Sequence, residues 1–321
     1  MATEMRIVEA VRDALAGELE RDDSVVVYGE DVGVGGGVFR ATDGLVEEYP
    51  ERVHDFPLAE AGIVGVGVGL AAAGYTPVPE IQFQSFLYQG FHQLQQHVSR
   101  LRSRTRGTLT CPMTIRTPYG GGIHALEHHS ESFEAGFAHL TGLKVVVPST
   151  PTTARGLLAA SIRDPDPVVF LEPTKLYRAT REEVPDDHVA SLGDARLVRS
   201  GDDVTVIAWG SMLREAERAS EAVEASVDLI DLQTVWPLDV DAVLASVRKT
   251  GRCVVVHEAP RAAGMGAEVT ARINDEALYH LEAPVERVTG YDVPLPLFAR
   301  EEAYLPDADD VERAIGRALA G

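Results

Sequence analysis

Short β-branched runs alternate along the chain with stretches in which apolar residues recur every three to four positions. This is the pattern of parallel strands joined by crossover helices. SVVVY at 24–28, PVPEIQF at 77–83, MTIR at 113–116, KVVVP at 144–148 and PVVFL at 167–171 read as strands. Ahead of them, TEMRIVEAVRDALAGELERD sets Ile7, Val8, Val11, Leu15 and Leu19 on one helical face, with Thr3 as the expected N-cap. Segments 59–73, 85–104 and 151–163 are the next predicted helices. From 180 to 196 the chain carries acids, proline and glycine without a period and reads as a linker. Beyond it the alternation resumes, with strands at 204–210, 227–232, 253–258 and 285–290 and helices near 212–225, 239–249 and 266–278. The expected architecture is α/β in two domains, 1–185 and 186–321.

Composition narrows the class of function. The 321 residues are 45% hydrophobic and 25% charged, a globular composition long enough for two domains with their own cores. With 29 Lys+Arg against 50 Asp+Glu the net charge is −21, which repels nucleic acid and anionic lipid and excludes both as partners. No apolar run reaches the roughly 18 residues that span a bilayer, and the first residues lack a signal-peptide pattern. A cytoplasmic protein is expected. Cys111 and Cys253 stand far apart and in no paired spacing, so neither a disulfide framework nor a zinc ribbon is available. Only Lys144, Lys175 and Lys249 are lysines, against 26 arginines, and the acids are scattered. Such a surface suits a high-salt cytoplasm, in which counterions screen the self-repulsion.

Three clusters could carry chemistry. Gly29-Glu30-Asp31-Val32-Gly33-Val34-Gly35-Gly36-Gly37 follows a strand end, where open α/β sheets place ligands. It opens no helix and no GK[ST] follows, so a glycine-rich loop competes with a dinucleotide or phosphate site. Glu60 stands in the first turn of an apolar, glycine-rich helix. It reads either as a carboxylate favoured by the helix N-terminus or as a buried acid held ready for a ligand nitrogen. His124, His128 and His129 place three of the ten histidines within six residues, after Gly120-Gly121-Gly122. A metal site, a polar loop and a catalytic or anion-holding histidine are the three readings; the zincin spacing and the G-x-S-x-G elbow are both missing.

Taken in order, Glu30 in GEDVG, GGVFRATDGL at 36–45, PLAEAGIVG at 57–65, EIQF at 80–83, HHSES at 128–132, GLKVVVPSTP at 142–151 and IRDPDPVVFLEP at 162–173 resemble the β subunit of the E1 component of 2-oxoacid dehydrogenase complexes. The resemblance continues through DLQTVWPLD at 231–239, VVVHEAP at 254–260, GYDVPLP at 290–296 and YLPD at 304–307. It covers nearly the whole chain, and is nearest to branched-chain enzymes around EIQF and FLEPTKLYR.

The resemblance implies a transketolase-like fold, with a thiamine-diphosphate pyrimidine-binding domain followed by a transketolase C-terminal-like domain. It implies half of an active site, completed by an E1 α subunit in an α2β2 heterotetramer. The α subunit would hold magnesium and the diphosphate through a GDG motif that this chain lacks. By the same resemblance Glu60 pairs with the aminopyrimidine ring, Glu30, Leu58, Gln82 and Phe86 line the cofactor, and Phe86, Leu87 and Tyr88 meet the substrate. His129 matches the histidine that handles the 2-oxo acid and the incoming lipoyl group of the E2 acyltransferase. Glu131 stands where the family commonly has Gln. Backbone carbonyls at Met113, Ser161, Ile162, Asp164 and Asp166 match a potassium site of some members. The implied activity is oxidative decarboxylation of a branched-chain 2-oxo acid or pyruvate with reductive acylation of lipoyl-E2. An acetoin-cleaving relative, or a non-catalytic subunit that anchors E1 to E2, is the alternative.

Overall fold

The β-branched runs of the first half line up as parallel strands because both faces of each are apolar. In the computed structural model, which describes residues 2–321, they belong to a unit made of the chain up to Tyr119 together with Gly136–Leu192. Six strands of this unit run parallel in the order Lys144–Val146, Val168–Pro173, Thr114–Tyr119, Thr76–Glu80, Val25–Gly29 and Val53–Asp55. Helices Ile7–Arg21 and Pro151–Arg163 pack on one another over this sheet, burying Ile7, Val11, Leu15 and Leu19 with Leu157, Leu158 and Ile162. Buried Glu18 accepts from the Arg163 guanidinium at 2.6 Å and ties the two helices together.

Helix Ile7–Arg21 starts four residues later than Thr3, the expected cap. Residues Ala2–Met5 pair instead with Glu182–Pro185 as a small antiparallel ribbon, and Glu9 accepts from the Arg6 N–H at 2.8 Å. The same pairing gives structure to the segment read as an aperiodic linker. The unit accordingly extends to Leu192, past the 185/186 boundary expected from the sequence. The predicted helix 85–104 is broken into a 3-10 turn Gln84–Gly90, a helical turn Phe91–Gln93, a π-turn Leu94–Val98 and a short helix Leu101–Arg104. Gly90 explains the first break: a Cβ there would lie 3.0 Å from Val64 and 3.3 Å from the Glu60 carbonyl, so the turn is pressed onto the neighbouring helix.

The second unit comprises Gly193–Gly321 and the excursion Gly120–Ala135. Its sheet has the order Glu286–Gly290, Cys253–Pro260, Val204–Ala208, Val227–Asp231 and Arg196–Arg199, the last antiparallel and the others parallel. Asp239 caps helix Val240–Thr250 by accepting from the Ala242 N–H at 3.0 Å, and Asp307 caps Ala308–Ala320 by accepting from Asp310 at 2.9 Å. Val204, Val206, Leu229, Val254 and Val256 meet Met212, Leu213, Val311 and Ile315 in its core. Among the described residues no helix is long and apolar enough to cross a membrane.

At the centre of the first sheet Arg116 is fully buried between two carboxylates. It donates to both oxygens of Glu172, at 2.8 and 3.1 Å, and to Glu80 at 2.9 Å, while the Tyr177 hydroxyl donates to Glu172 at 2.6 Å. Burial pushes the Glu80 carboxyl up, and Arg116 offsets that in part. Arg116→Met leaves two buried carboxylates without their cation, and breaking such a set costs about 3–5 kcal/mol. The urea midpoint is therefore expected to drop sharply in Arg116→Met and to recover when Glu80→Gln and Glu172→Gln are added. A single variant as stable as the parent would contradict this account.

Candidate active site

The strand Val25–Gly29 ends in Glu30 and a loop that doubles back on itself. Gly33 and Val34 donate to the Asp55 carboxylate at 2.7 and 3.2 Å, and the Gly37 N–H donates to the Asp31 carbonyl at 2.8 Å. Gly36 and Gly37 take φ of 71° and 78°, a conformation that side chains resist, so glycine is required at this turn. The cluster forms no helix, which removes the dinucleotide reading of these glycines.

Glu60 opens helix Glu60–Ala72 and is 4% exposed, an acid buried in the first turn of an otherwise uncharged helix. Burial raises the Glu30 carboxyl, with Asp31 and Glu60 adding to the rise, so Glu30 and Glu60 lie within electrostatic reach of each other. The 3-10 turn Gln84–Gly90, which carries half-buried Phe86, packs on the same helix. Phe86 meets Phe83 edge-on at 5.7 Å, and Phe83 meets Phe39 of the glycine loop at 5.6 Å. Leu58 is 66% exposed, Gln82 half-buried and Tyr88 exposed. Leu87 is fully buried in the core, so Phe86 and Tyr88 are the accessible side chains of the aromatic trio that the sequence proposed for substrate. Gln84, which the sequence did not single out, buries both amide atoms without a partner.

Glu30, Leu58, Glu60, Gln82 and Phe86 all belong to the first unit. Two carboxylates held near one another, one of them drawn toward its protonated form, with an aromatic ring and an exposed leucine close by, suit a flat, protonatable heterocycle such as an aminopyrimidine. The residues present therefore fit the pyrimidine end of thiamine diphosphate.

His129 belongs to the second unit, on the excursion Gly120–Ala135. It ends a single 3-10 turn, Glu127–His129, in which its N–H donates to Leu126 at 2.9 Å. Burial first, and then His128 with its ring 4.2 Å away, hold the His129 imidazole below its usual pKa, with Glu127 opposing. Among the described residues no cluster of three His, Cys, Asp or Glu could hold a metal, so the metal reading of this loop falls.

Three buried acids passed over by sequence reasoning bear on the excursion, Glu301 and Glu258 from outside it and Glu134 within it. Glu301, 1% exposed, accepts from the Gly122 N–H at 2.6 Å and the His124 N–H at 2.7 Å. Glu258 accepts from the Gly121 N–H at 3.4 Å. Glu134 is sealed without a hydrogen bond of good geometry, although the Trp209 indole is near, and burial pushes its carboxyl up to about 7. No local signal marks these residues, because Glu301 lies 177 positions from His124.

Comparison with known proteins decides the family. Models of the transketolase pyrimidine-binding domain and C-terminal domain match residues 3–180 and 193–311. The chain is 49% identical to the pyruvate dehydrogenase E1 component subunit beta of Acholeplasma laidlawii, over 95% of each chain. It is likewise 49% identical to the protein of that name from Staphylococcus epidermidis, over 96% of each. The chain belongs to the E1 β family of 2-oxoacid dehydrogenases. A solved split-gene transketolase, described as an inactive β4 tetramer, superposes with a TM-score of 0.83 over 98% of each chain at 23% identity, which supports the two-domain fold.

The potassium positions of the E1 β reading fall at one end of the first sheet, among several hydrogen bonds and ion pairs. The Met113 carbonyl accepts from Val168 at 2.9 Å and that of Ser161 from Asp164 at 3.2 Å. The Asp164 carboxylate receives Lys144 Nζ at 2.6 Å and the Asp166 N–H at 2.8 Å, and Asp166 pairs with Arg102 at 2.5 Å. Ile162 is buried in the helix end.

Two tests address the clasp on the E1 β histidine loop. Glu301→Ala leaves the Gly122 and His124 N–H groups without their acceptor, each such charged bond being worth about 1.5–3 kcal/mol. Amide exchange over residues 121–131 is expected to rise at least about tenfold, with the sheets unchanged; unaltered exchange would show that the carboxylate does not hold the loop. Glu134, by contrast, binds its proton more tightly when folded than its ordinary value of 4.5 implies, so it withdraws stability as pH rises from about 4.5 through 7. The Glu134→Gln variant should therefore lose less stability than the parent between pH 5 and pH 8 in urea unfolding, and parallel losses would count against the assignment.

Proposed function

We propose that this E1 β chain supplies half of a thiamine-diphosphate site that decarboxylates a 2-oxo acid and passes the acyl group to lipoyl groups of an E2 acyltransferase. The observation that carries the proposal is Glu60, buried in the first turn of its helix and within electrostatic reach of Glu30. When bound, the cofactor supplies the nucleophilic carbon and takes up the electron pair left as carbon dioxide departs.

The residues of this chain orient and protonate. Glu60 turns its buried carboxylate toward the pyrimidine ring nitrogen to share a hydrogen bond with it, and its burial keeps water from taking that place. Glu30, raised by burial and by the charges of Asp31 and Glu60, is itself drawn toward its neutral form and so adds less negative charge beside Glu60, and Phe86 covers the ring. Leu58, Gln82 and Tyr88 line the same side, while Leu87 supports it from the core. His129, held below its usual pKa, is neutral at pH 7 and offers a ring nitrogen to the substrate carboxylate or the incoming dithiolane. Glu131 adds a negative charge near it and bears on substrate preference.

The second half comes from an α subunit in an α2β2 assembly. The absence of a GDG triplet from the sequence supports this, as do the exposed apolar side chains of Leu58, Val66 and Val34, of which Val34 is 87% exposed. Magnesium and diphosphate belong to that partner. Backbone carbonyls at Met113, Ser161, Ile162, Asp164 and Asp166 are the proposed holders of a structural potassium ion, beside the Lys144–Asp164 ion pair. Pyruvate is the substrate favoured by the names of the relatives; a branched-chain 2-oxo acid is the alternative drawn from EIQF and FLEPTKLYR. The paired carboxylates in the first unit speak against a purely anchoring subunit. We assign the complex to the cytoplasm.

The test is made on the complex with its α subunit. Glu60→Gln is expected to keep assembly and lose at least about 100-fold in turnover of pyruvate, of branched-chain 2-oxo acids and of acetoin. His129→Ala should slow lipoyl acylation more than the reduction of an artificial electron acceptor. Normal turnover by Glu60→Gln would overturn the proposal, and the best substrate of the panel names the donor.

A further inference from the structure

The second unit holds a cavity of about 270 Å3 beside the edge strand Glu286–Gly290, running past that strand to Tyr291 and Asp292. Four arginines line it: Arg261 beyond the strand Cys253–Pro260, Arg287 on the edge strand, and Arg313 and Arg317 one turn apart on helix Ala308–Ala320. The acids in its wall are Asp292 and Asp310. In a chain with a net charge of −21 this concentration of cations reverses the local sign.

The arginines are not equally satisfied. Arg313 pairs with Asp310 at 2.5 Å and Arg317 with Glu286 at 2.8 Å. Arg261 and Arg287 have no carboxylate within ion-pair distance among the described residues. Each donates instead to the backbone carbonyl of the other, at 2.8 and 3.3 Å, which holds two like charges side by side. Burial and Arg261 together pull the Arg287 guanidinium below its usual pKa, and Asp292 compensates only in part. Two adjacent guanidiniums with a single donor of each engaged lack a counterion of matching charge.

Tyr291, 63% exposed, stands edge-on to buried Tyr304 at 6.2 Å and closes one side of the cavity with an aromatic face. The volume lies near the lower end of small-molecule pockets, which run from about 300 to 1,000 Å3. It is the size of a metabolite rather than of a peptide groove.

We propose that this cavity binds a phosphate group, free or carried by a small metabolite, with Arg261 and Arg287 as its paired donors. A carboxylate satisfies one guanidinium fork, whereas a phosphate dianion has three oxygens and the charge to answer two. Nothing in the decarboxylation chemistry draws on these residues, so the inference stands apart from the proposed function.

The experiment is calorimetric titration of the full chain at about 50 mM salt, where screening leaves anion binding visible, with inorganic phosphate and with adenosine monophosphate as probes. Saturable binding of at least one probe is expected, weakened at least about tenfold by Arg261→Ala and by Arg287→Gln. Arg272→Ala removes the same charge from helix Met265–Ala277, outside the cavity wall, and should leave binding unchanged. Thermal unfolding without ligand checks each variant. Arg261 is exposed, so its replacement decides the matter even if Arg287→Gln does not fold. Loss of nucleotide binding alone in Tyr291→Ala identifies a ring-bearing ligand, and equal binding of both probes identifies free phosphate. No saturable binding of either probe, or an equal loss in Arg272→Ala, would overturn the proposal.

Discussion

A guanidinium clamped between two carboxylates in the middle of a parallel sheet is the constraint on which the first unit depends. Arg116, Glu80 and Glu172 sit on three adjacent strands, and none of them is tolerable in that interior without the others. The set reaches outward through Glu80. A Cβ on Gly37 would lie 3.0 Å from a Glu80 oxygen, so the turn that follows Glu30 is laid directly on the buried ion cluster. Two residues beyond Glu80 comes Gln82, and then the 3-10 turn with Phe86. One electrostatic arrangement thus sets the floor of the candidate cofactor site and the spacing of the loops above it.

Carboxyl groups do four different things in this chain, and their neighbours decide which. Glu172 is matched by Arg116 and Tyr177 and is purely structural. Glu30 is raised by burial and by the charges of Asp31 and Glu60, while Glu60 is buried at the start of its helix. Glu301 is answered by backbone N–H groups and shapes the excursion that carries His129. Glu134 has almost nothing to answer it and is drawn toward the neutral form. The arginines divide in the same way: Arg313 and Arg317 are paired, whereas Arg261 and Arg287 are left with one another. Function is proposed where pairing is incomplete, because a group already satisfied has little to offer a ligand.

Much of the architecture was legible because its signals are local. Buried parallel strands such as Val25–Gly29 and Val168–Pro173 need apolar residues on both faces, and that need is written in consecutive letters. The amphipathic face of Ile7–Arg21 was equally readable, although its first residues were not: Ala2–Met5 extend to pair with Glu182–Pro185, a partner some 180 positions away. Continuous helix over 85–104 was a fair expectation from composition, but the close approach of Gly90 to the Glu60 turn breaks it. The membership of Gly120–Ala135 in the second unit had no sequence signal, since glycines and histidines say nothing about which distant carboxylates will hold them.

By itself the sequence determined the α/β class, the succession of strands and helices, the E1 β family and the candidate acids and histidine, all of which depend on neighbouring residues or on motifs in order. Only the tertiary structure decided which charges are paired, which side of the aromatic turn faces inward, and where the chain leaves one unit to join the other. The physical reason is range. Hydrophobic periodicity acts over a few residues, whereas the state of a buried charge depends on every group the fold brings within a few ångströms, and those groups come from anywhere in the chain.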